Sequence, residues 1–235
     1  LIYFAAAEGD KTDAAKTPEE AQKHIARTGV YTPIVKGWIS ELSQELTYLG
    51  IQVHGGMGYI EETGIAQHYR DARIMTIYEG TTGIQGLDLA GRKTLGDNGA
   101  AVSSLLDEID ATAKEMSGVN GLDSMAASLA RSVGIGRDAT EWLVANGPND
   151  RNVAGAASVN FMMLLGYVCG GWVMGRSTLK AQQLLDAGQG DSSFLETKQM
   201  TARFYFEHLL PRAAMYLETV KAGPESMMAL DIDRF

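Results

Sequence analysis

Apolar positions recur at helical spacing in almost every segment of the chain, and no run alternates in the way a half-buried strand does. The opening Leu1-Ile2-Tyr3-Phe4-Ala5-Ala6-Ala7 reads as the second half of a helix already under way, ending in the polar stretch from Glu8 to Thr17. Thr17-Pro18-Glu19-Glu20 has the make-up of a helix start: a capping hydroxyl, a proline in the first turn, and acids at the positive end of the dipole. A longer helix is expected after Pro33, where Val35, Trp38, Ile39, Leu42, Leu46 and Leu49 share one face. The glycine-rich stretch Gly50 to Gly58 ends it. Residues 59–80 read as a mixed connector. The next helix begins near Thr82, which stands in capping-box spacing to Gln85, and Ile84, Leu87, Gly91 and Leu95 give it a face suited to close packing.

Asp97-Asn98-Gly99 is a clear break, and a domain boundary is expected there, dividing residues 1–98 from 99–235. Four helices follow, near 100–117, 122–146, 152–188 and 193–222. Gly118 to Gly121, Gly147-Pro148-Asn149-Asp150 and Gly188 to Ser193 separate them, Pro211 should kink the last, and Gly223-Pro224 stops it. Antiparallel helices joined by short turns make a bundle, so the fold class is all-α, with a second helical bundle after the first. One segment invites another reading. Val153 to Gly175 carries no charge, is long enough to span a bilayer, and places Gly166/Gly170 and Gly171/Gly175 at small-xxx-small spacing. Ser158 and Asn160 lower its hydrophobicity and its neighbours are amphipathic, so a buried central helix accounts for the same residues, and no membrane span is expected.

Composition narrows the function classes. A hydrophobic content of 45% can fill a core, and a net charge of −9 with no basic run argues against nucleic acid as a partner. The single cysteine, Cys169, excludes an internal disulfide and a cysteine-based metal site. The histidines, His24, His54, His68 and His208, lack paired ligand spacing, so no metal is expected. The N-terminus has neither an initiating Met nor a basic region ahead of an apolar one; it is not a signal peptide, and residues upstream are expected to belong to the functional protein.

Chemistry concentrates between Gln52 and Arg92. Glu79 precedes a helix start, where the dipole favours the anion while an apolar cleft would oppose it; a carboxylate so placed can be tuned as a general base. Gly80 leaves room beside it. Taken singly, these features have simpler accounts: a helix-start acid at Glu79, glycines that only end a helix, His54 as a packed polar residue, a local ion pair among Arg70, Asp71 and Arg73, and Cys169 as a core residue.

The order and separation of Gln52-Val53-His54-Gly55-Gly56-Met57-Gly58-Tyr59, Arg70-Asp71-Ala72-Arg73 and Tyr78-Glu79-Gly80-Thr81-Thr82-Gly83-Ile84-Gln85 resembles the C-terminal four-helix bundle of the acyl-CoA dehydrogenase family. That likeness covers residues 1 to about 95. Residues 100–235 are similar to the extra helical module of longer bacterial members, among them enzymes for long-chain and methylmercaptopropionyl-CoA thioesters, through pattern and pieces such as Lys198 to Tyr205. The resemblance implies an FAD-dependent acyl-CoA dehydrogenase. Glu79 would remove the substrate α-proton and its backbone N–H would hold the thioester oxygen, with Tyr78 and Gly80 lining the cleft. Gln52, Gly55 and Gly56 would meet FAD bound mainly to a neighbouring subunit, and Thr81 and Gln85 the FAD of their own. A homodimer or higher homo-oligomer is then expected, with an electron-transfer flavoprotein as acceptor and the bacterial cytoplasm as location.

Gly83 departs from the family pattern, standing where many relatives carry a polar side chain. The family's N-terminal helical domain and middle β-domain are absent, so this chain alone is expected to bind FAD poorly and to turn nothing over. Two other classes remain open: a non-catalytic helical assembly module of a flavoprotein complex, and a membrane-associated helical protein.

Overall fold

The computed structural model describes residues 1–234, and every regular element among them is helical. Helices α1 (Ile2–Ala14) and α2 (Pro18–Pro33) pair as a hairpin. Helix α1 ends at Ala14, within the polar stretch expected to close it. Glu8 accepts from Lys11 at 2.7 Å and lies 2.7 Å from His24 Nδ1 on α2, so its polar residues brace the hairpin. Thr17 caps α2 by accepting the Glu20 N–H at 3.1 Å, while the Glu20 carboxylate accepts the Lys16 N–H at 2.9 Å.

Pro33 opens no new helix. The chain runs through it into a π turn at Ile34–Trp38 and on as α3 (Ile39–His54). A proline ring excludes the carbonyl four residues back and brings no N–H, and one wide turn absorbs both effects. The apolar face expected beyond Pro33 is only half used: Trp38 is buried, whereas Leu46 and Leu49 are 60% and 46% exposed. From Leu46 onward α3 has α4 (Gly56–Tyr59) and α5 (Ile65–Ile74) beside it and no deeper layer. The expected connector 59–80 therefore contains a ten-residue helix, α5, of which only Ala66 is buried.

Helix α6 (Thr82–Leu87) passes into a second π turn at Asp88–Thr94. Its buried face is Gly86, Leu89 and Ala90; Ile84 and Leu87, expected inside, are 57% and 45% exposed. After the turn at Asn98 and Gly99, with φ of 54° and 78°, come α7 (Ala100–Ser117), α8 (Asp123–Asn146) and α9 (Arg151–Asp186). The last expected helix is split rather than kinked. α10 (Ser192–Phe204) runs through a third π turn at Tyr205–Leu209, and Pro211 then starts α11 (Arg212–Lys221).

Helix α9 is the axle of the molecule, packed against α6, α7, α8, α10, α11 and the first two π turns. Its length and composition would suffice to cross a membrane, but 72% of its most apolar 18-residue window is buried inside the fold. Gly166 and Gly170 make that contact possible. A Cβ at Gly166 would stand 2.2 Å from Trp38 Cγ, and one at Gly170 would stand 2.1 Å from Tyr205 Oη. Of the polar atoms this brings inward, Tyr205 donates to the Tyr167 carbonyl and Trp172 to Thr112 Oγ1, both at 2.9 Å, while Trp38 Nε1 is buried without a partner. One continuous apolar cluster reaches from Val30 to Val220, on both sides of the Asn98–Gly99 turn.

Candidate active site

The loop between α5 and α6 is held at both ends. The Ile77 and Tyr78 N–H groups donate back to the Ile74 carbonyl at 3.0 and 3.1 Å, and the Thr82 N–H donates to the Thr76 carbonyl at 3.2 Å, closing the loop. Thr76 is buried; it accepts from Arg73 at 2.8 Å and donates to the Arg73 carbonyl at 3.1 Å. Lys36, from the first π turn, donates to the Met75 carbonyl at 2.7 Å. These bonds fix residues 75–78 on one side of the tip and Thr82 on the other.

At that tip the backbone takes two successive left-handed steps, Glu79 at φ 52° and Gly80 at φ 91°. For a glutamate this costs on the order of 1 kcal/mol, and such strain persists only where its surroundings impose it. The Gln85 amide donates to the Glu79 carbonyl at 3.3 Å, and the bond from the Thr82 N–H to the Thr76 carbonyl closes the loop around the tip. Gly80 is required by its φ; a Cβ there would stand 2.6 Å from Gln85 Nε2, the end of a flexible side chain that can swing away. Thr81, not Thr82, caps α6, accepting the Ile84 N–H at 3.3 Å. Thr82 instead donates its hydroxyl to the Glu41 carboxylate on α3.

Tyr78 and Glu79 line a cleft of about 310 Å³ whose opposite wall is Val35, Ile39 and Ser40, with Met75 beside them. Lys36 lies 5.8 Å from the Tyr78 ring centre. Gly80 does not line the cleft, and Glu79 is exposed at its mouth rather than enclosed by it.

The other group of expected residues sits elsewhere. Gln52, Gly55 and Gly56 are exposed at the far end of α3, about 14 Å along the helix from the cleft residue Ser43. Gly55 turns the chain with φ 58°, and neither Gly55 nor Gly56 has any neighbour within 4 Å of where a Cβ would be. The fold therefore gathers Tyr78, Glu79, Gly80, Thr81 and Gln85 at one place and Gln52, Gly55 and Gly56 at another. His54 is exposed, not packed, with Nδ1 2.9 Å from the Gly50 carbonyl. Arg70 pairs with Glu61 through two bonds of 2.9 and 2.7 Å rather than with Asp71, and Arg73 serves Thr76. Sequence reasoning missed Lys36, Glu41 and Thr76. Lys36 and Glu41 lie some 40 residues before the loop they hold, in a helix whose polar positions carry no motif.

Residues 6–94 match the family model described as the acyl-CoA dehydrogenase C-terminal domain, and residues 105–231 the one described as acetyl-CoA dehydrogenase C-terminal like. The chain belongs to the acyl-CoA dehydrogenase family. Among curated relatives, the 3-methylmercaptopropionyl-CoA dehydrogenase of Ruegeria pomeroyi is 43% identical over 210 residues, 88% of this chain and 36% of that protein. A broad-specificity linear acyl-CoA dehydrogenase of Mycobacterium tuberculosis is 32% identical over 220 residues, 90% of this chain and 36% of its own length. The caffeyl-CoA reductase–Etf complex subunit CarC of Acetobacterium woodii is 41% identical over 58 residues, covering 25% of this chain and 15% of the relative. The chain thus spans about a third of the length of the first two relatives.

Proposed function

We propose that this chain is the proton-abstracting portion of an FAD-dependent acyl-CoA dehydrogenase, converting an acyl-CoA thioester to the trans-2-enoyl-CoA, with Glu79 as the base. The observation that carries the reading is the Glu79–Gly80 tip, a strained glutamate fixed through its own carbonyl by Gln85 beside an apolar cleft. Nothing in helix packing requires a glutamate there at positive φ, where glycine would sit without strain. A carboxylate at a cleft mouth is placed to take a proton from a substrate bound in the cleft.

Glu79 would take the α-proton of the thioester. Its backbone N–H donates to no backbone acceptor among the described residues and is free to hold the thioester oxygen, stabilising the negative charge that builds there. Bound FAD would supply the hydride acceptor for the β-carbon. The residues present fit such a group: Gly55 and Gly56 leave open space against the backbone, and Gln52 is exposed beside them. Gln52, Gly55 and Gly56 of one subunit would complete the site formed by Thr81 and Gln85 of another, which makes the working unit at least a homodimer. That two expected groups lie at different ends of α3 supports this sharing. The Etf complex named for CarC supports an electron-transfer flavoprotein as acceptor, and the bacterial cytoplasm is the proposed location.

The test is Glu79→Gln in the complete enzyme. It should retain the flavin absorbance and lose the anaerobic bleaching that an acyl-CoA causes. Bleaching at the unmodified rate would remove Glu79 from the mechanism.

A further inference from the structure

A second cavity, of about 480 Å³, opens between α9 and α10 and includes Phe4 of α1. It is distant from the cleft at Glu79. Along α9, Met162 meets Gly37 near that cleft, while Lys180 at the second cavity lies about 27 Å further on at the helical rise. Three cations line it, Arg176 and Lys180 from α9 and Lys198 from α10, and no carboxylate does. In a chain with 29 acidic and 20 basic residues this is an unusual concentration. None of the three belongs to an ion pair among the described residues, although ten such pairs form elsewhere.

Arg176 and Lys180 stand four residues apart on one helix face, where like charges repel. Lys198 adds a third positive charge from the facing helix. Two of the three heads are set over aromatic rings: the Arg176 guanidinium is 5.3 Å from the Phe4 ring centre and Lys198 Nζ is 5.2 Å from that of Phe194. The groove floor is aliphatic, with Val173, Leu184 and Leu195. Phe4 offers no open face to a planar base, because Trp172 stacks on it at 4.6 Å and Arg176 also covers it.

We propose that this groove binds a phosphate ester with an aliphatic body. Arg176 and the two lysines take the phosphate oxygens, since a guanidinium fork matches phosphate geometry and lysines supply point charge. The alkyl chain lies on the aliphatic floor, away from water. Binding leaves the Glu79 cleft untouched, so the proposal stands whether or not that cleft is catalytic.

Calorimetric titration of this chain at low salt with hexyl phosphate, inorganic phosphate and ADP tests it. Hexyl phosphate should bind about tenfold more tightly than inorganic phosphate, the return for burying roughly two methylenes. Arg176→Met and Lys198→Met should each weaken it severalfold while leaving the thermal melt unchanged. Lys180→Met, at an exposed position with no hydrogen bond of its own, serves as the second variant should either of those disturb folding. Equal affinity for hexyl and inorganic phosphate, tighter binding of ADP than of hexyl phosphate, or binding that survives Lys180→Met and Lys198→Met together would overturn the assignment.

Discussion

Gly166→Ala places a single methyl group where the fold has no room for it. The new Cβ would lie 2.2 Å from Trp38 Cγ and 2.5 Å from both Cδ atoms. Contact between carbons is comfortable near 3.5–4.0 Å, so the overlap exceeds about 1 Å. The indole cannot step aside cheaply: Trp38 is 5% exposed, sits in a π turn, and meets the Tyr167 ring edge-on at 5.7 Å. Overpacking of this kind costs about 1–3 kcal/mol, and the severity of the overlap puts it at the upper end. Alanine recovers roughly 1 kcal/mol through its better helix propensity. The net loss is about 2 kcal/mol, which for a chain of this size lowers Tm by roughly 4–8 °C. Gly155→Ala is the matched control. It makes the same substitution in the same helix, with nothing within 4 Å of the new Cβ, and should raise stability by about 0.5–1 kcal/mol. Urea titration and thermal melts of both variants read the difference. Trp38→Ala removes the Cγ and both Cδ atoms in the way, so Gly166→Ala should cost less in that background than in the parent. Two alanine variants of the same sign, or an unchanged penalty in the Trp38→Ala background, would refute the close-approach role given to Gly166.

Three more outcomes follow from single contacts. The Arg212 guanidinium bonds both Glu45 oxygens at 2.7 Å and holds that carboxyl below its usual range; its stability contribution is present above the unfolded value near 4.5 and fades as pH falls through the lower folded value. Glu45→Gln should therefore cost about 1 kcal/mol at pH 7, and urea titrations should find that gap closing on acidification; a gap constant with pH would refute the ion pair as its source. Burial pushes the Cys169 thiol up to about 12, so a thiol reagent at pH 8 should leave the folded chain unlabelled and modify one thiol per chain in denaturant. Glu79→Gly should stabilise the chain by on the order of 1 kcal/mol in the same urea assay, by removing the positive-φ penalty, whereas Gly80→Ala should destabilise it by forcing a side chain onto φ 91°.

The helices are legible because their period is. The segments expected near 100–117, 122–146 and 152–188 match α7, α8 and α9 to within two residues. What the pattern does not carry is phase across a π turn. Each wide turn advances the chain by less than about 100° per residue, so a face extrapolated at about 3.6 residues per turn drifts off target. Within the second wide turn Leu89 and Ala90 are buried, while Ile84 and Leu87 in the helix ahead of it face outward. At the candidate site, the Glu79-Gly80-Thr81 order is plain in the sequence, but the positive φ of a glutamate has no sequence signature. Its supports from Lys36 and Glu41 come from a distant helix and leave none either.

The packing across Asn98–Gly99 bears on what the second half of the chain does for the first. Trp38 fills the notch that Gly166 and Gly170 leave in α9, Gly86 lies against the α9 backbone at Ser158, and Arg212 on α11 grips Glu45 of α3. The same α3 bears Glu41, which holds Thr82 directly after the Glu79–Gly80–Thr81 tip. Residues 100–234 therefore supply the inner wall against which the helix carrying Lys36 and Glu41 is set. Removing them would bare Trp38, Leu89 and Ala90, side chains with 5% or less exposure, at a cost of about 1.5–3 kcal/mol for the indole alone. A complete enzyme truncated after Gly99 should then lose solubility before it loses any contact with substrate. If it stayed soluble and active instead, α9 would be a passenger on a bundle already sufficient in itself, and the notch at Gly166 would have no bearing on the base.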